Sequence, residues 1–231
     1  MMEKTENFTL SCVDPICDTW GHKDNAGNWD ISLQFDYSKK SVQEHNRWYA
    51  NTLKDTLEAL SCLTRAYAIS FEPIYSAKDK YEGVSLIWQP EQSYENYLQN
   101  AFETIKKYPI DISCIDVDYD FFVYVRTKKS FLKPVRTWVR EFGESIELSS
   151  MMIDLSLEDK EPGILFSMNH TLFYPFSYNA DDNDDNTDLF ELNQPLLEEA
   201  LRNWEQKFNA EIEADGLKGI YKYGYLPEDQ W

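Results

Sequence analysis

Three aspartates at alternate positions, Asp116, Asp118 and Asp120, form the sharpest concentration of chemically able groups in the chain. They lie within Ile110–Val125, the longest run rich in β-branched and aromatic residues, which predicts a strand. Alternate side chains on a strand share one face at a spacing of roughly 6.6 to 7 Å. Carboxylates so placed suit a hard divalent cation held together with substrate phosphates. They equally suit contact with a basic surface, or ion pairs inside the protein. Ile112, Cys114, Phe122 and Tyr124 share that face, while Ile115, Val117, Tyr119, Phe121, Val123 and Val125 form an apolar face for the core.

Other candidate constellations are incomplete. Asp181–Asp188 (DDNDDNTD) is acidic enough to suggest calcium, but a helix–loop–helix calcium site needs Gly at loop position 6 and Glu at position 12. A loop opened by Asp181 puts Asn186 and Leu192 there, and one opened by Asp182 puts Thr187 and Asn193. Cys12, Cys17 and His22 are three zinc-type ligands where a structural site wants four. Neither His45 nor His170 has a nucleophile and carboxylate arranged near it in sequence. With 8 Gly in the chain, no glycine-rich phosphate loop is present. No cofactor and no metal is therefore expected.

Charge narrows the partners. The 231 residues carry 41 Asp and Glu against 22 Lys and Arg, a net charge of −19. Such a field repels nucleic acid and anionic lipid and attracts basic molecules. No apolar run reaches the roughly 18 to 20 residues of a membrane span, and the Met1–Phe8 segment lacks a signal-peptide layout. A cytoplasmic protein with Cys12, Cys17, Cys62 and Cys114 as free thiols is the expectation.

The elements that must position the aspartates read as α+β. Trp29, Ile31, Leu33, Phe35 and Tyr37 alternate with polar residues and predict a strand. Ser41-Val-Gln-Glu44 is a capping box opening a helix with Val42, Tyr49, Leu53, Leu57 and Leu60 inward. Arg65–Tyr75 and Val84–Trp88 read as strands, and Ser93 caps a second helix that Pro109 stops. Residues 28–125 then follow a β-α-β-β-α-β order, the ferredoxin-like sequence of elements, in a mixed or antiparallel sheet. Residues 1–27 read as an irregular arm. From 126 to 231 a second lobe is expected, fused with the first into one domain. Its basic opening, Arg126–Arg140, contains a short helix begun by Pro134, with cations that neutralise nearby acids. Strands at Leu148–Leu157 and Ile164–Met168 follow, then the acidic loop 180–188. A final helix, 195–215, begins at Pro195 and buries Leu197, Leu201, Trp204, Phe208 and Ile212.

Two function classes fit. In one, the chain binds and neutralises a basic protein. Asp116, Asp118 and Asp120 supply charge and Tyr124 an aromatic anchor, joined by Trp29 or Tyr37 where exposed. Asp181, Asp182, Asp184 and Asp185 speed encounter. In acidity and in Tyr and Trp content the chain resembles bacterial immunity proteins, which implies a nuclease-type toxin as partner. In the alternative class, the strand aspartates serve a metal-dependent enzyme similar to nucleotidyltransferases. Those enzymes also carry a Gly-Ser turn that Tyr81–Leu86 (YEGVSL) does not match.

Overall fold

The computed structural model describes residues 22–36, 40–74, 77–78, 80–89, 91–127, 133–149, 162–178 and 183–231. Eleven strands and three α-helices occur among them: β1 (His22–Ser32), α1 (Val42–Ala59), β2 (Thr64–Pro73), β3 (Val84–Ile87), α2 (Tyr94–Lys107), β4 (Ile112–Val125), β5 (Val135–Ser149), β6 (Gly163–His170), β7 (Phe176–Tyr178), β8 (Asn183–Asp185), α3 (Thr187–Phe208), β9 (Ile212–Gly216), β10 (Ile220–Tyr221) and β11 (Gly224–Tyr225). Seven of the strands form one antiparallel sheet in the order β3-β2-β4-β5-β6-β1-β9. The architecture is α+β.

Local signals set the helices. In α1 the Ser41 Oγ accepts from the Glu44 amide at 3.3 Å, and the Glu44 carboxylate accepts from the Ser41 amide at 2.9 Å. The Ser93 Oγ caps α2, whose last turn carries Lys106 and Lys107 against the negative end of the helix dipole. All three helices press apolar stripes onto one face of the sheet. Tyr49, Leu53, Tyr97, Ala101, Ile105, Leu197, Leu201 and Trp204 join Ile115, Val117, Tyr119, Phe121 and Val123 in a single core. The even-numbered residues of β4 from Cys114 to Tyr124 therefore point to the opposite face. No helix covers that face among the described residues.

Four expectations are corrected. Strand β1 does not lie beside β4, as a ferredoxin-like arrangement requires. It sits between β6 and β9, with Trp29 across from Phe166 and Ile31 across from Ile164, so aromatic and aliphatic neighbours match on the core face. It also begins at His22, which takes residues 22–27 out of the irregular arm. The segment after Pro134 is strand β5 and not a helix. Val135, Thr137 and Val139 alternate with Arg136, Trp138 and Arg140, and the open edge of β4 gives that alternation a partner. Finally, α3 begins at Thr187, upstream of Pro195. Leu189, Phe190 and Asn193 extend its buried side far enough to outweigh the roughly 3 kcal/mol of an interior proline. It ends at Phe208, where Asn209 turns left-handed (φ 48°), and Ile212 is buried from β9 instead.

Part of the expected acidic loop is regular structure. Asp184 and Asp185 lie on β8, paired with β7, and Asp188 lies in the first turn of α3. Asp181, Asp182, Tyr37, Cys12, Cys17 and the expected strand beyond Ser149 fall outside the described residues. Cys62 and Cys114 are half-buried free thiols.

Candidate functional site: the open face of the sheet

The register of β4 gives its three aspartates three different surroundings. Asp120 stands directly across from Arg65 on β2 and from Arg140 on β5. Arg65 Nε donates to Oδ2 at 3.0 Å, and Arg140 donates through Nε to Oδ1 at 2.7 Å and through Nη2 to Oδ2 at 3.2 Å. The Asp120 side chain is 0% exposed and that of Arg65 is 7% exposed. Two residues earlier the flanking positions are Ala68 and Ser145, so Asp118 has no cation across from it. Two earlier again they are Ser70 and Glu147, which sets an acid opposite the exposed Asp116.

Aromatic rings hold the guanidinium groups in place. Arg65 lies over Trp138 at 4.1 Å and over Trp88 at 4.9 Å. Trp138 stacks on Phe122 with centroids 5.0 Å apart, and Arg136 covers Phe122 at 4.4 Å while donating to the Cys62 carbonyl at 3.0 Å. Arg140 lies over Tyr67 at 3.8 Å. Each such contact is worth on the order of 0.5 to 2 kcal/mol, more where water is excluded. Arg65 and Arg140 are thus fixed on Asp120.

Asp118 is half-buried and makes no hydrogen bond or ion pair among the described residues. Burial pushes its pKa up, and the Arg140 field only partly opposes this. Asp30, also half-buried, shows the same effect on β1: burial and the facing Glu213 of β9 both raise its pKa. Like charges placed directly across a ladder are destabilising. The open face therefore carries carboxylates that the fold itself leaves incompletely compensated.

Of the sequence-derived candidates, Asp116 and Asp118 remain on this face, and Asp120 is absorbed into an internal ion pair. Tyr124 is half-buried further along it, its backbone held by Asn193. Asp184 and Asp185 belong to the separate β7–β8 ribbon. Trp29 is buried, donating to the Tyr221 carbonyl at 3.1 Å. Elsewhere His45 pairs with Asp111 at 2.8 Å, and Arg126 pairs with Asp188. No group of three or more His, Cys, Asp or Glu converges among the described residues. With both Asp120 oxygens engaged, the metal-dependent reading has no ligand cluster there. Sequence reasoning missed Arg65, whose signal was a cation placed among Ala, Ile and Phe on a strand. No helix among the described residues is long and apolar enough to cross a membrane.

No protein-family model matches the chain, and no curated protein or solved structure matches it either.

Proposed function

We propose that this chain is a binding protein whose open sheet face receives a basic protein. One observation carries the reading: Asp118 is half-buried without a dedicated cation, its ionised form disfavoured by burial, on a face that no described helix covers. A Lys or Arg from a partner would relieve that cost, which gives binding a local driving force beyond the general pull of a −19 charge. Asp116 extends the charged contact, Tyr124 supplies an aromatic anchor, and Asp184 and Asp185 with Asp181 and Asp182 raise the encounter rate. Asp120 acts indirectly, by keeping Arg65 and Arg140 occupied. Within this class the partner we favour is a nuclease-type toxin, which the chain would inhibit as an immunity protein does.

The test is capture from the native host with wild-type chain and with Asp118→Lys. A basic protein retained by the wild type, lost with the variant and released by salt is the expected result. If that protein is a nuclease, its activity should fall on addition of the wild-type chain. An acidic partner, or one held equally by Asp118→Lys, overturns the reading.

A further inference from the structure

A cleft of about 1020 Å³ opens between α1 and α2 and reaches round to Arg65 and Trp138, without Asp116 or Asp118 in its lining. Leu57, Tyr94, Leu98 and Phe102 line it, and Trp88 and Trp138 bound it beside Arg65. Leu98 and Phe102 are half-buried, so each keeps apolar surface facing the cleft after contributing to the core.

The charges around the cleft mostly cancel, and what remains is negative. Glu58 is held by Lys54 at 3.6 Å and Lys207 at 3.0 Å. Glu103 is held by Lys106 at 3.5 Å and Lys107 at 3.1 Å. Arg65 is committed to Asp120. Glu91 and Glu95 are exposed and form no ion pair among the described residues, leaving two carboxylates on one rim beside an apolar floor.

We propose that this cleft docks an amphipathic helical segment of a basic protein, with apolar side chains on Leu98 and Phe102 and Lys or Arg meeting Glu91 and Glu95. Two facing helices offer a groove into which a third packs through residues at i, i+3, i+4 and i+7. The volume matches roughly two turns of a helix about 10 Å across. A second copy of this chain is disfavoured as occupant, since each copy brings a charge of −19. The inference shares the basic partner of the proposed function but uses none of the strand aspartates.

A labelled 14-residue peptide of Leu and Lys at helical spacing is the probe, followed by fluorescence anisotropy at about 150 mM salt, where long-range attraction is screened. Saturable one-to-one binding is expected. It should weaken at least tenfold in Leu98→Asn/Phe102→Asn and at least threefold in Glu91→Gln/Glu95→Gln. The exposed Glu pair keeps the test valid if the apolar variant unfolds in a melting control. Absence of saturation, equal weakening by Glu211→Gln/Glu213→Gln, or equal binding of a Leu/Gln peptide overturns the proposal. Failure of host capture by Asp118 leaves this measurement untouched, so the two ideas fall separately.

Discussion

Asn193 holds the backbone of Tyr124 by both ends of its side-chain amide. The Tyr124 N–H donates to Oδ1 at 2.8 Å, and Nδ2 donates to the Tyr124 carbonyl at 2.9 Å. Pairing with β2 stops at Thr64 across from Phe121, so β4 runs on with β5 alone beside it. A side chain from α3 takes the position of the missing strand. It also ties the final helix to the strand that carries the aspartates.

Asn193→Leu should remove both bonds and leave two backbone groups without partners. The expected loss is about 2 kcal/mol or more in urea unfolding. Asn193→Asp keeps an acceptor but loses the donor and buries a charge, so it should be no more stable than the leucine variant. A loss below about 0.5 kcal/mol in both would show that water replaces the amide.

Asp120→Asn strips the counter-charge from two guanidinium groups, one of them buried. Breaking a buried pair by removing one partner costs about 3 to 5 kcal/mol. Asp116→Asn, at an exposed position, should stay within about 0.5 kcal/mol of the wild type. Comparable losses in the two variants would contradict the separation of their roles.

Asp118 gives a pH signature of opposite sign to an ordinary salt-bridged acid. Its folded-state pKa is raised, so the folded protein holds this proton more tightly than the unfolded chain does. Stability from this group is present below the ordinary value of 3.8 and is lost as pH rises through the folded value. Asp118→Asn should therefore raise the melting temperature at pH 7 and make little difference below about pH 3.8. A lower melting temperature at pH 7 would mean that the carboxylate is stabilised after all. If a basic partner binds here, the wild-type complex should gain stability at pH 7 that the asparagine variant lacks.

Trp204 is fully buried on α3, with its ring 6.4 Å from that of Phe166. Trp204→Ala should cost about 3 to 5 kcal/mol, as truncation of a large core ring does. Its indole N–H is buried with no hydrogen-bond partner among the described residues. Trp204→Phe, which removes that donor, should accordingly cost less than half as much by chemical denaturation.

The helices were legible where local chemistry decides. Ser41 with Glu44 and Ser93 with Asn96 cap as their types require, and the stripe through Tyr49, Leu53 and Leu57 needs no distant partner to be recognised. The segment after Pro134 reads both ways, because Val135, Trp138 and Phe142 fit a helical spacing while Val135, Thr137 and Val139 fit a strand. Only the neighbouring edge of β4 chooses between them. Pro195 misled for a related reason, since a proline can open a helix but does not have to. The site was half legible. The alternation of Asp116, Asp118 and Asp120 is visible in the sequence, but the register that gives Asp120 two arginines and Asp118 none is fixed across three strands.

The position of β1 has a consequence for synthesis. Residues 22–32 are made well before their neighbours at 163–170 and 212–216. At about 5 to 20 residues per second, the roughly 130 residues between β1 and β6 take on the order of 7 to 26 seconds on the ribosome. Through that interval Trp29 and Ile31 have no ladder to join, and both edges of the nascent strand are open to other chains. The arrival of β9 supplies the last of those ladders. A chain cut short before Ile212 would keep a nearly complete sheet with β1 as a raw edge, prone to recruit strands from its own kind.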